Sequence, residues 1–249
     1  MAIPELFYTV GVHPTRALEF GETEEARLAH TAKLLEQLQL DPPSGGGTAS
    51  AVCIGECGLD YDRLHFAPKE AQLLGFEQHF SLAEATGLPL FLHSRNCGED
   101  FVAMLTKHRH RFGSGVVHSF TGTLDELEAL LEMENIYIGI NGCSLKTQEN
   151  LETVKRLPLD RLMLETDAPW CSIKNTHAGS ALVRTKLAEK KPKKFEFGFP
   201  VNGRCEPWGM RQVLEVVAAV KGVSEAEVAR AARINTLRVF FPKLLKAAA

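Results

Sequence analysis

Apolar residues along this chain fall into two alternating patterns. Short, nearly unbroken runs predict six strands: FYTVGVH at 7–13, AVCIGE at 51–56, LPLFLH at 88–93, GVVH at 115–118, IYIGIN at 136–141 and LMLETD at 162–167. Between them the period changes. Over 69–87, Leu73, Phe76, Phe80 and Leu82-Ala83 recur at helical spacing, and Gly87 supplies a natural end. The stretch 123–133 repeats the pattern with acids in its first turn, and helices near 209–221 and 224–240 finish the chain, the last with Ser224 as N-cap. Strands that are apolar on both faces, alternating with helices, predict an α/β fold with a parallel sheet covered by helices. DPPSGGGTAS at 41–50 reads as a flexible spacer that leads from a helix into a strand, on the face opposite the strand C-termini. The long stretch 170–208 instead follows a strand and precedes a helix, which places it on the face where α/β active sites form.

Composition narrows the class without naming a function. A chain of 249 residues, 45% hydrophobic and 24% charged, has the make-up of an ordinary globular protein with a sizeable core. The formal charge of −3 gives no overall basic field, so any contact with nucleic acid needs a local patch. Six cysteines without a C-x-x-C pair are expected as reduced thiols inside a cell. The opening MAIPELFYTV has neither the basic nor the long apolar region of a secretory signal, and no apolar run approaches the roughly 20 residues that span a bilayer. A soluble intracellular protein without a membrane partner is expected. Nothing in the pattern indicates an oligomeric state.

The strand ends carry the chemistry. Five of the six runs finish on, or reach, a potential ligand: His13, Glu56, His93, His118 and Asp167. Any one of them has an ordinary reading as a group hydrogen-bonded to a loop. Three imidazoles and two carboxylates at equivalent points of successive parallel strands predict a shared metal site, because such points converge on one mouth of a barrel. A mixed imidazole–carboxylate set without thiolate suits Zn²⁺, Mn²⁺ or Mg²⁺ in a catalytic centre with open positions. Glu56 is able to bridge two cations, and such a pair activates water and stabilises a leaving oxygen. The glycines flanking it would either let substrate or metal approach the backbone or simply make a tight turn.

Around this mouth stand groups with two readings each. Arg95 and Lys146 would grip a phosphate or pair with loop acids. Asp60 is expected to organise the loop or support a ligand from behind, Asn141 to stabilise the turn with Gly142, and His13 to touch substrate and not metal. The run RTKLAEKKPKKFEFGFP at 184–200 holds six cationic side chains and two acids. It would guide a phosphate backbone with Phe195, Phe197 and Phe199 as stacking faces. The alternation of those phenylalanines, however, favours an extended segment with its rings turned into the body. KKPKK also fits a weak nuclear import signal.

Taken in order, GVHP, IGECGLDYDR, FLHSR, VVHSF, YIGINGCSLKT and LMLETDAPW resemble the TatD family of metal-dependent deoxyribonucleases, close to its eukaryotic branch, from residue 7 onward. The resemblance implies a TIM-like (β/α) barrel of the metal-dependent hydrolase superfamily, here with about six of its eight strands, as one domain over 1–249. In the family the GxHP strand is the third, so an N-terminally truncated chain is expected. The resemblance also implies that Glu56, His93, His118 and Asp167 are the metal ligands; from the residues themselves, two divalent ions (Mg²⁺, Mn²⁺ or Zn²⁺) are expected, with Asp167 and Glu56 catalytic and His13, Arg95 and Lys146 on substrate. The activity it implies is 3′–5′ exonucleolytic hydrolysis of DNA, single strands preferred; the location expected is the nucleus or cytoplasm, with the nucleus slightly favoured. An amidohydrolase-type enzyme acting on a small molecule, or a silent truncated isoform serving as a binding partner, are the alternatives.

Overall fold

A computed structural model describes residues 6–39 and 49–247. The body of the 41–50 spacer, residues 41–48, lies outside the described residues. The chain divides into two compact units, one comprising Met1–Val117, Met133–Ile136 and Leu237–Ala249, the other His118–Glu132 and Tyr137–Thr236.

In the first unit four strands, β1 (Leu6–Val10), β2 (Ala49–Asp60), β3 (Leu90–Arg95) and β4 (Gly115–Val117), pair in parallel in that order. Helices α1 (Glu24–Gln39), α2 (Lys69–Thr86) and α3 (Gly98–Lys107) alternate with them. The apolar positions of α2 fall as the pattern predicts: Phe76, Phe80 and Ala83 are buried, Phe76 stacks against Phe101 of α3, and Gly87 closes the helix with φ 69°. Leu73 is only half-buried, because the same face also buries two polar residues, Gln72 and His79. Both are engaged. The Gln72 side chain accepts the Asp60 N–H at 2.7 Å and donates to the Asp60 and Ala67 carbonyls at 2.9 Å. The His79 Nε2 accepts the Val12 N–H at 2.9 Å while Nδ1 lies 2.8 Å from the Gly75 carbonyl. A buried helix face thus holds two loop-proximal backbones through satisfied polar groups, as burial requires.

In β2 the run predicted to stop at Glu56 continues to Asp60. The parallel register with β3 shifts between Gly55 and Cys57, so Glu56 is the extra residue of a bulge, a device that re-aims a side chain. The glycines make room for β3: a Cβ at Gly58, where φ is 139°, would lie 2.0 Å from the His93 carbonyl oxygen. β3 keeps the length of its run but lies two residues later, and β1 and β4 are shorter than theirs. β1 stops at Val10, and His13 caps the 3-10 turn Pro14–Phe20 by accepting the Thr15 N–H.

In the second unit β5 (Ile136–Ile140) and β6 (Leu162–Leu164) pair in parallel, Ile138 opposite Leu162 and Ile140 opposite Leu164. Helix α4 (Leu124–Leu131) starts with a capping box between Thr123 and Glu126, and α5 (Gln148–Arg156) with one between Thr147 and Asn150. Helix α6 (Met210–Lys221) ends on Gly222, and α7 (Glu225–Phe240) starts where Ser224 Oγ accepts the Glu227 N–H at 3.2 Å, the N-cap expected from sequence. A final short helix, α8 (Pro242–Ala247), follows, and beside it in the first unit Phe241 packs edge-on to Phe7 of β1. No helix among the described residues is long and apolar enough to cross a membrane.

Candidate active site

The bulge in β2, the end of β3 and the loop after β1 bring His13, Glu56 and His93 together, with one ligand-capable atom of each within 4.8 Å of the others. Glu56 Oε1 lies 2.6 Å from His93 Nδ1 and 3.5 Å from His13 Nε2. Behind His93, the fully buried Asp60 places Oδ2 3.3 Å from Nε2, while Arg63 Nε lies 3.7 Å from the same oxygen. His93 is therefore held between two carboxylates. Burial alone would lower its pKa, but the hydrogen bonds and charges of Asp60 and Glu56 outweigh that and raise it. Burial pushes the Asp60 carboxyl upward, and His93 with Arg63 more than reverses the push, leaving it below the usual range. His13 is lowered, first by burial and then by the neighbouring His93.

The hydrogen bonds also assign roles within the cluster. His13 Nδ1 accepts the Thr15 N–H at 3.1 Å, so a neutral His13 carries its proton on Nε2, directed at Glu56. In that tautomer His13 is a hydrogen-bond donor to Glu56. A buried carboxylate on one ring nitrogen with the other turned to an open carboxylate is the arrangement that orients a metal-binding imidazole. Its donor set, imidazole and carboxylate oxygen without thiolate, fits Zn²⁺ or Mn²⁺.

His118 and Asp167 belong to the second unit. His118 directly follows β4 and is buried; its Nδ1 lies 3.8 Å from Glu165 Oε1. Glu165 is a residue the sequence reading missed. Its carboxylate accepts the Ser119 N–H and, at 3.2 Å, an Asn141 Nδ2–H, and it fills the space above Gly139, where a Cβ would lie 2.9 Å from Oε2. A glycine inside the otherwise bulky run IYIGI was the available signal. Asn141 is fully buried and does more than stabilise a turn: Oδ1 accepts the Cys143 N–H at 2.9 Å, while Nδ2 also donates to Ser119 Oγ at 2.8 Å. Asp167 lies three residues beyond β6 with φ 53°; its carbonyl accepts the Trp170 N–H, and Cys171 Sγ lies 3.3 Å from Oδ2.

Of the cationic candidates, Arg95 Nε donates to Asp62 Oδ2 at 2.8 Å, the ion-pair reading. Lys146 is exposed just beyond the 3-10 turn Cys143–Leu145. The inward reading of the phenylalanines is overturned. Phe195 and Phe197 are 62% and 92% exposed, and only Phe199 turns back, under Lys190 at 4.5 Å. Strict alternation presupposes a surface alongside the segment. Here residues 190–201 leave the body as an excursion, so no apolar surface receives the rings.

Comparison with known proteins agrees with this chemistry. The TatD related DNase family matches residues 2–241. The chain is 44% identical over 234 residues to a Schizosaccharomyces pombe protein named deoxyribonuclease Tat-D, covering 93% of this chain and 73% of that one. It is 34% identical to an Erwinia tasmaniensis protein named 3′-5′ ssDNA/RNA exonuclease TatD, over 93% of this chain and 77% of the relative. Among solved structures, an uncharacterised amidohydrolase from Saccharomyces cerevisiae superposes with a TM-score of 0.85 at 33% identity, covering 94% of this chain and 80% of its own. A TatD family hydrolase from Entamoeba histolytica superposes with a TM-score of 0.83 at 34% identity, over 94% of this chain and 74% of its own. The fold is thus that of the TIM-barrel hydrolases, the chain is a hydrolase of ester bonds, and it belongs to the TatD related DNase family.

Proposed function

We propose that the chain is a divalent-metal-dependent exonuclease that shortens single-stranded DNA from its 3′ end and releases 5′-mononucleotides. The observation that carries this reading is the cluster of His13, Glu56 and His93 with Asp60 buried behind His93, in a chain whose named relatives are deoxyribonucleases. Glu56 and His93 of the first unit and His118 and Asp167 of the second would hold two divalent ions, which would supply Lewis acidity at the scissile phosphate. Asp60 fixes the ring of His93, and the Glu165 carboxylate stands 3.8 Å from His118. Asp167 takes the proton of the attacking water as its oxygen bonds to phosphorus and the bond to the leaving 3′ oxygen breaks. His13 donates its Nε2 proton to a phosphate oxygen. Lys146 offsets the remaining phosphate charge, and Arg95 does so only by leaving its partner Asp62. KKPKK directs the protein to the nucleus.

The experiment is degradation of a 5′-labelled single-stranded oligonucleotide with Mn²⁺, alongside the Glu56→Ala variant. Stepwise loss from the 3′ end that requires both metal and Glu56 is the expected result. A folded protein that binds metal and leaves every polynucleotide intact overturns it, and hydrolysis of C–N or ester bonds in small molecules would then be the better reading.

A further inference from the structure

Residues 184–204 of the second unit are built more firmly than a solvated loop needs to be. At the root, the buried Glu215 of α6 accepts the N–H groups of Arg184 and Thr185 at 2.8 and 2.9 Å, and Gln212 donates to the Thr185 carbonyl. Farther out, Lys190 donates its N–H to the Pro200 carbonyl and accepts the Asn202 N–H, both at 2.9 Å, closing the base of the 190–201 excursion. At the tip stand Phe195 and Phe197, exposed beside Lys191, Lys193 and Lys194, none of which has a carboxylate partner among the described residues. A groove of about 460 Å³ runs along the same unit. It is lined by Cys171 and Lys174 just after Asp167, by Lys186, and by Glu189 and Asn202 at the excursion's base. Trp170, three residues from Asp167, is 70% exposed.

Exposed rings cost free energy in water unless something covers them, and unpaired lysines around them favour a covering that is anionic. Exposed aromatic faces among cations are the recognition chemistry of single-stranded nucleic acid, whose bases stack while its backbone is neutralised. Resting on the exonuclease reading, we infer that this segment is the strand-binding platform of the enzyme. Phe197 and Phe195 stack on bases far from the scissile bond, Lys193 and Lys194 neutralise the phosphates between them, and the groove carries the strand past Lys186 and Lys174 to Trp170 beside Asp167.

The test is fluorescence anisotropy of labelled oligo(dT) with the full chain in chelator, where no cleavage occurs. Phe195→Ala/Phe197→Ala is expected to bind about 5-fold or more weakly. Lys193→Glu/Lys194→Glu is expected to weaken binding and to reduce the slope of log affinity against log salt by about 0.7 for each phosphate that is no longer neutralised. Lys155→Glu, a change of the same kind on α5, is expected to bind as the parent does. Thermal unfolding of each variant establishes that it is folded. Parent-like binding by both double variants overturns the platform. So does a parent that ignores oligo(dT) yet sediments with phosphatidylserine vesicles in a Phe197-dependent way, since the covering would then be lipid. Mn²⁺-dependent hydrolysis of bis(p-nitrophenyl) phosphate by the parent, a diester with no strand to grip, separates failure of the platform from failure of the hydrolytic reading.

Discussion

In the cluster of the first unit the reactive side chains restrain one another: His93 lies between Glu56 and Asp60, Asp60 is held through its backbone by Gln72, and the backbone beside His13 by His79. In the segment 184–204 of the second unit the backbone is held, and so are side chains such as Thr185 on Glu215, Lys190 on Glu196 and Asn202 on Glu189, while Phe195, Phe197, Lys191, Lys193 and Lys194 face solvent. The difference separates two tasks. Bond breaking needs groups fixed to within a fraction of an ångström before substrate arrives. Gripping a polymer of variable sequence needs adaptable side chains on a fixed frame.

Breaking the comparison at its centre should have the largest effect. Glu56→Ala removes the carboxylate shared by both imidazoles, and exonuclease activity is expected to fall by roughly a thousandfold or more, a loss of about 4 kcal/mol in transition-state stabilisation. The same variant should lose the metal-induced rise in Tm. For the parent, at a thousandfold excess of Mn²⁺ over its dissociation constant, that rise is roughly 8–16 °C. A parent Tm indifferent to metal would break the assignment.

Acid should reveal the restraint from α2. His79 is buried and neutral, its pKa lowered to about 4 chiefly by desolvation. A depressed folded pKa means that the stability it confers is complete above the unfolded value of 6.5 and is lost as pH falls toward 4. The loss amounts to about 3 kcal/mol over that window. His79→Gln, which keeps an acceptor for the Val12 N–H, should lose less Tm than the parent between pH 7.5 and pH 5. Equal losses would show that another group titrates.

A smaller effect sharpens the same picture. Asp60→Asn preserves shape but weakens the hold on His93, and metal affinity measured by titration is expected to drop about 10- to 100-fold while the variant stays folded. An unchanged affinity would reduce Asp60 to a packing role.

Much of this was legible in the sequence because strand-terminal histidines and acids interrupt apolar runs conspicuously. Of the residues that stand out in this way, the structure brings Glu56 and His93 together with His13, while His118 and Asp167 belong to the second unit. Gln72 and His79 did not, since a polar residue on a helix is assumed to face water until a partner across the fold is known. Glu165 was hidden by its neighbour Asp167. The continuation of β2 to Asp60 was hidden because glycines mark turns more often than bulges, and only the His93 carbonyl beside Gly58 explains them. Phe195 and Phe197 were misread for the opposite reason: alternation is informative only when a surface lies alongside.

The excursion closed by Lys190, Pro200 and Asn202 has a consequence for how such an enzyme changes. Its two ends meet in paired backbone groups that are indifferent to the side chains between them. Substitutions at the tip therefore leave the hydrolytic cluster's chemistry untouched. On the exonuclease reading, processivity, the number of nucleotides removed before the strand is released, would be a property that evolution or design adjusts on one surface appendage, independently of the rate of each cut.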